Sequence, residues 1–134
     1  MTISAPPTVR QLMDRVFVKL PPEMPVAKAV SILLKKKLTG APVVDENGRL
    51  IGILSEKDCL KTLMIDAYDQ MPLGIVSEYM STELFSVHPD IEIFQLAELF
   101  LSRVYRRFPV VEDGQLVGQI TRRDLLRAIA EYWA

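Results

Sequence analysis

The sequence predicts an α/β (α+β) fold of two β-α-β-β-α repeats packed with pseudo-twofold symmetry. Three observations carry this expectation. The chain repeats itself: Met13 and Met80 lie 67 positions apart, as do Pro42-Val43-Val44 and Pro109-Val110-Val111. The offset then falls to 66 for Gly48 and Gly114, Gly52 and Gly118, and Asp58 and Asp124. One residue is thus lost inside a turn, where loop tips tolerate it. Finally, Asn47-Gly48 and Asp113-Gly114 each sit between β-rich runs, the strongest short-range hairpin signal.

Each copy reads in the same order. A short helical turn opens it, Val9 to Asp14 or Val76 to Ser81, and Thr8 with Gln11 has the spacing of a capping box. A short extended piece follows, Phe17 to Leu20 or Leu84 to Val87, stopped by Pro21-Pro22 or Pro89. Val26, Val30, Leu33, Leu34 and Leu38 then recur at helical spacing, as do Ile93, Ala97, Phe100, Leu101 and Val104. Next comes the hairpin: Pro42-Val43-Val44 with Leu50 to Leu54, or Pro109-Val110-Val111 with Leu116 to Ile120. A second helix closes each copy, Ser55 to about Ile65 and Thr121 to Trp133. The expected boundaries are 8–66 and 75–133, joined by a linker 67–74 in which Met71-Pro72-Leu73-Gly74 breaks any helix. A unit of about 60 residues is marginal alone. Two copies packed sheet against sheet are expected to share one core and to form clefts in pairs, where ligands bind.

Composition narrows the function. The 134 residues are 49% hydrophobic and 25% charged, as in a globular chain. A balance of 17 acids against 16 bases argues against a dedicated nucleic-acid-coating protein. The single Cys59 excludes an intramolecular disulfide and a multi-cysteine zinc site, and fits a reducing compartment. No apolar run approaches the ~20 residues of a membrane span. Met1 to Pro7 has no signal-peptide pattern. A cytoplasmic protein without a membrane partner is expected.

The chemistry sits after each hairpin, in Gly-x-x-[Ser/Thr]-x-x-Asp: Gly52…Ser55…Asp58 and Gly118…Thr121…Asp124. A hydroxyl residue with an acid three residues later is close to a capping box, which alone explains these residues. The same geometry also suits a ligand. A helix N-terminus attracts phosphate, a hydroxyl adds a donor, and a carboxylate accepts two hydrogen bonds from the vicinal diol of a ribose. The two readings are compatible.

The second half of the chain has six basic residues, Arg103, Arg106, Arg107, Arg122, Arg123 and Arg127. Arg106 and Arg107 precede the first strand of their hairpin, and Arg122 and Arg123 follow the second, so antiparallel pairing makes them neighbours. Guanidinium is a natural phosphate partner. The competing expectation is a solvated basic face. Lys35-Lys36-Lys37 reads as a solvated helix end, Cys59 as a small core residue, and His88, with no nucleophile pattern around it, as non-catalytic. Tyr132-Trp133 is expected to cover an apolar edge, within the chain or at a partner.

These motifs, in this order and twice over, resemble a pair of cystathionine β-synthase (CBS) domains, regulatory modules that bind adenine nucleotides in many unrelated proteins. The resemblance covers about Val9 to Tyr132, with Met13 and Met80 where the family's opening helix usually has methionine. It implies that Asp58 and Asp124 hold the ribose, with Ser55 and Thr121 near the phosphate. Thr39, Gly40 and Ala41 in copy one, and Arg106, Arg107, Phe108 and Pro109 in copy two, are implied to line the base or phosphate pocket, with Arg122 beside them. Ser86 matches the family's small polar residue at the end of the first extended piece, and Lys19 departs from it. The resemblance thus implies a stand-alone, non-enzymatic sensor that binds AMP, ADP or ATP in the cleft between repeats. No cofactor or metal is required. Homodimerisation and signalling to an effector protein are expected. The alternatives are a structural dimerisation module without ligand, or a binder of S-adenosylmethionine or NAD.

Overall fold

The computed structural model describes residues 5–69 and 73–133. Met71 and Pro72 of the helix-breaking linker segment, with Gln70, residues 1–4 and Ala134, therefore lie outside the described residues. In chain order the elements are α1 (Val9–Leu12), α2 (Val26–Lys36), β1 (Gly40–Val44), β2 (Leu50–Ser55), α3 (Glu56–Asp69), α4 (Val76–Tyr79), α5 (Ile93–Ser102), β3 (Arg107–Glu112), β4 (Gln115–Thr121) and α6 (Arg122–Tyr132). This is a mixed helix-and-strand fold with two small antiparallel sheets, one per repeat, as expected.

The hairpins explain the change of offset. β3 and β4 are joined by Asp113 and Gly114, both at positive φ (52° and 80°), as a two-residue type I′ turn requires. β1 and β2 are joined by a longer turn, in which Asp45 Oδ1 accepts from the Asn47 and Arg49 N–H groups at 2.9 and 3.0 Å and Gly48 takes φ 80°. Both hairpins carry an irregularity at the same place, between Val43 and Val44 and between Val110 and Val111.

The extended pieces before α2 and α5 are shorter than the expected strands. Each makes one parallel bridge, Leu20 to Val43 and Val87 to Val110. The Leu20 N–H donates to Pro42 O at 2.9 Å, and the Val44 N–H donates to Leu20 O at 3.0 Å. Continuing the ladder forward needs an N–H at position 22, and extending it backward needs one at 42. Both are prolines and lack the donor. Pro89 and Pro109 truncate the second copy in the same way.

α2 ends in a Schellman motif. Lys37 is left-handed (φ 57°, ψ 46°), its N–H reaches Leu34 O at 3.2 Å, and the Leu38 N–H reaches Leu33 O at 2.9 Å. α5 starts with Glu92 and Gln95 capping each other's N–H at 3.1 and 3.0 Å. α3 runs to Asp69, past the expected end near Ile65, because nothing in 66–69 is a helix breaker.

The spatial units are not the sequence repeats. One unit comprises residues 1–17 with 85–134, and the other comprises residues 18–84. Each therefore takes its opening turn from the other repeat. In the first unit the Val9 and Arg10 N–H groups bond Ile91 O and Pro89 O (2.9 and 2.7 Å), and Asp14 pairs with Gln119. In the second, the Val76 and Ser77 N–H groups bond Met24 O and Pro22 O (2.9 Å each), and Ser81 pairs with Ile53. The methionines explain two glycines. A Cβ on Gly118 would stand 2.6 Å from the Met13 sulfur, and one on Gly52 would collide with the Met80 sulfur.

A single shared core was the expectation. The buried residues instead form two clusters, one per unit. One contains Val9, Met13, Ile93, Leu96, Phe100, Phe108, Val110 and Ile120. The other contains Leu20, Val26, Leu33, Val43, Leu54, Val76 and Tyr79. The borrowed turns supply Val9, Met13, Val76 and Tyr79, so each unit closes its own apolar interior.

Candidate functional site

In both units the hairpin's open end meets the N-terminus of the following helix. In the first unit Arg107 pairs with Thr121 across the sheet, and the Arg122 N–H donates to Arg106 O at 3.1 Å. Ser86 precedes the Val87 bridge beside Pro109. The fold thus gathers Ser86, Arg106, Arg107, Pro109, Thr121, Arg122 and Asp124. In the second unit Gly40 pairs with Ser55, Ala41 pairs with Leu54, and the Glu56 N–H donates to Thr39 O at 2.9 Å. Lys19 precedes the Leu20 bridge there. Thr39, Gly40, Ala41, Ser55 and Asp58 share that end.

Both motif pairs are reciprocal caps. The Asp124 N–H donates to Thr121 Oγ1 (3.1 Å), and the Thr121 N–H donates to Asp124 Oδ2 (2.9 Å). The Asp58 N–H donates to Ser55 Oγ (3.1 Å), and the Ser55 N–H donates to Asp58 Oδ2 (3.0 Å). The capping reading is therefore realised in full, and it leaves carboxylate lone pairs over.

The arginines divide. The Arg103 guanidinium carbon lies 3.7 Å from the centre of the Phe85 ring, a cation–π contact. Arg127 reaches toward Asp124 at 3.5 Å. Among the described residues Arg106, Arg107, Arg122 and Arg123 form no ion pair. The Arg107 Nε is buried with no hydrogen-bond partner, a state that costs free energy until an acceptor arrives.

Phe108 corrects an expectation about the pocket lining. It is 0% exposed, and its ring centroid lies 4.4 Å from Phe100, 5.3 Å from Phe85 and 5.9 Å from Tyr105. Its side chain is core, because it faces away from its strand neighbour Arg107. Ala41 is buried in the other unit's core for the same reason. The aromatic group of Phe85, Phe100, Tyr105 and Phe108 was not anticipated; Phe100, Tyr105 and Phe108 are close in sequence, but Phe85 joins them from the extended piece before α5.

Two further ionisable groupings lie elsewhere. Arg10 of α1 donates to Asp90 at 3.0 Å and to both oxygens of Glu112. These bonds raise the Arg10 pKa, and the Arg10 hydrogen bond holds the Glu112 carboxyl below the ordinary carboxylate range, with burial opposing. His88, Asp90 and Glu112 offer ligand atoms within 4.8 Å of one another, but Arg10 already pairs with both acids and offsets part of their charge. Burial pushes the Cys59 thiol up, and the Asp58 and Glu56 charges add to this. No helix among the described residues is long and apolar enough to cross a membrane.

A twice-repeated hairpin-and-helix unit with a hydroxyl–carboxylate pair at each helix start defines a tandem module. The CBS domain model matches residues 9–65 and 76–131, and the chain belongs to this family. It is 28% identical over 126 residues to MJ1225 of Methanocaldococcus jannaschii, covering 94% of this chain and 44% of that protein. It is 30% identical over 123 residues to the A-adding tRNA nucleotidyltransferase of Aquifex aeolicus, covering 92% of this chain and 14% of that enzyme. The chain thus spans less than half the length of either of these curated relatives. Among solved structures, CBSX2 of Arabidopsis thaliana in complex with AMP superimposes with a TM-score of 0.83 at 29% identity, covering 96% of this chain and 99% of that one.

Proposed function

We propose that this chain is a non-catalytic sensor module that binds an adenine nucleotide (AMP, ADP or ATP) and signals its presence to an effector protein. The observation that carries the reading is the open end of the β3–β4 hairpin. There the ribose-type acceptor Asp124 and the hydroxyl of Thr121 stand beside Arg106, Arg107 and Arg122, and these three arginines form no ion pair among the described residues. A carboxylate for a diol and guanidinium groups for phosphate oxygens are the two recognition elements of a nucleotide. The AMP-bound CBSX2 relative supports it. The match to a minor part of a named nucleotidyltransferase supports a module that accompanies chemistry rather than performing it.

Asp58, Ser55, Thr39, Gly40, Lys19 and the backbone of Ala41 form the corresponding, weaker place in the other unit, where Glu56 stands at the position of Arg122. The chain acts as a homodimer in this reading. Leu60, Leu63 and Met64 on α3, and Leu126 with Trp133 (73% exposed) at α6, offer apolar side chains to a second copy. Tyr132 instead packs edge-on against Phe94 at 5.8 Å.

The test is a thermal-shift panel of AMP, ADP, ATP, S-adenosylmethionine and NAD on the wild type and on Asp124→Ala. A ligand at 100 times its Kd adds about 2.7 kcal/mol of stability. The expected result is a shift with an adenine nucleotide that Asp124→Ala abolishes, with the variant still folded. No shift with any compound favours a purely structural module, and a shift only with S-adenosylmethionine or NAD reassigns the ligand. Sedimentation at micromolar concentration checks the dimer.

A further inference from the structure

We propose that Lys61 closes the ribose-type acceptor of the first repeat, so that the chain binds adenine nucleotide at unequal sites and Lys61 sets the inequality. This rests on the nucleotide reading above and names what regulates one of its two places. A carboxylate offers about four lone-pair sites. In the second repeat, Asp124 Oδ2 accepts one short bond, from the Thr121 N–H, and Oδ1 has only Arg127 at 3.5 Å. The Asp124 side chain is 25% exposed. In the first repeat, Asp58 Oδ2 accepts two bonds from Ser55, from its N–H at 3.0 Å and from its hydroxyl at 2.9 Å. The other oxygen, Oδ1, accepts from Lys61 Nζ at 3.1 Å, and the side chain is 10% exposed.

The consequence is chemical. A vicinal diol must donate two hydrogen bonds, and Asp124 has sites left on both oxygens. Asp58 has both lone pairs of Oδ2 committed, and its remaining oxygen faces an ammonium. The Ser55 hydroxyl is also committed as a donor to Asp58, whereas Thr121 Oγ1 acts as an acceptor from the Asp124 N–H and keeps its own proton for a ligand. Lys61 and Arg127 hold the same place three residues after the aspartate, yet only the lysine is close. The ammonium is a compact point charge on a flexible stem, which settles on one oxygen. Lys61 is itself mostly exposed, so it is a removable occupant: its loss opens a ligand position without emptying the core.

Calorimetric titration of the full chain with adenosine, which has the diol and no phosphate, isolates this contact. The wild type is expected to bind one equivalent tightly. Lys61→Met, which keeps the apolar stem and removes the charge, is expected to tighten the weaker site about five- to tenfold, the range of one partly exposed charge-assisted hydrogen bond, and to bring a second equivalent into view. Lys61→Arg, which puts the Arg127 arrangement beside Asp58, is expected to tighten the weaker site in the same direction as Lys61→Met. In the Lys61→Met background, Asp58→Asn removes the second equivalent, and 2′-deoxyadenosine does not gain from Lys61→Met. Identical isotherms for wild type and Lys61→Met, with both folded by circular dichroism, overturn the proposal, as do two equal sites in the wild type. No saturable binding to either protein overturns the nucleotide reading itself.

Discussion

Ala41 and Phe108 hold the same place in their hairpins, 67 positions apart, and the difference between them runs through both units. Around Phe108 stand Phe85, Phe100 and Tyr105, with Arg103 on the Phe85 ring. The matching residues in the other unit are Val18, Leu33, Leu38 and Lys36. Both hairpins nevertheless have the same register, the same irregularity and the same Met-on-Gly contact. Prolines that cut the ladder, glycines that admit a sulfur and turns that need positive φ set the frame. The residues that fill the interior and the hairpin's open end vary without disturbing it.

The largest test of this contrast is in the core. Phe108→Ala is expected to cost about 3–5 kcal/mol, since it empties the centre of an aromatic group. Ala41→Phe is expected to cost about 1–3 kcal/mol by overpacking. Urea melts measure both. A cost for Phe108→Ala below that of Ala41→Phe contradicts the view that the aromatic group organises its unit.

A smaller effect is expected at the open ends. Arg107→Ala and Arg122→Ala should each weaken AMP relative to adenosine by about tenfold, the worth of one charge-assisted bond to phosphate. Glu56→Ala, at the place matching Arg122, should leave the AMP-to-adenosine ratio unchanged or shift it slightly toward AMP. Equal ratios in the wild type and both arginine variants place the basic group in solvent.

Acid should separate the units next. The Glu112 carboxyl is depressed by its bonds to Arg10. A depressed carboxyl contributes stability that is present above its unfolded pKa and is lost as pH falls through its folded one. The hold on α1 should therefore weaken as pH drops below the ordinary glutamate value of about 4.3. In the other unit the places of Arg10 and Glu112 are taken by Ser77 and Asp45, and Asp45 caps its own turn. Hydrogen exchange at Val9 and Arg10 is expected to accelerate with acid sooner than at Val76 and Ser77. Arg10→Met should erase that difference.

The smallest expected effect concerns the end of α2. Lys37→Gly should stabilise by about 0.5–1 kcal/mol, because a left-handed non-glycine residue costs about 1–2 kcal/mol and glycine's extra chain entropy returns part of it. A thermal melt in which Lys37→Gly lowers Tm argues that the Lys37 side chain has a role of its own.

Much of this was legible in the residues. The two turns, both amphipathic helices and the reciprocal caps follow from local spacing, and local contacts are what a sequence pattern encodes. The hairpin argument also placed Arg106, Arg107 and Arg122 together, since antiparallel strands bring their ends side by side. Three features escaped. The facing of Phe108 turns on a one-residue register, which flips a side chain from pocket to core. The exchange of opening turns depends on bonds such as Val9 to Ile91, which no periodicity announces. The closing of Asp58 rests on a lysine at the same spacing as Arg127, so spacing alone does not tell them apart.

That exchange reaches into how such a chain is inherited. Each repeat lacks, within its own stretch, the turn that caps its interior, and supplies that turn to its sibling. A gene cut between the repeats would encode two polypeptides, each bearing the other's Val-to-Met opening turn. The arrangement seen in the intact chain would be rebuilt only when both fragments are present and trade ends. A lineage that loses one copy thus loses a structural piece of both, which ties the fate of the duplicated halves together.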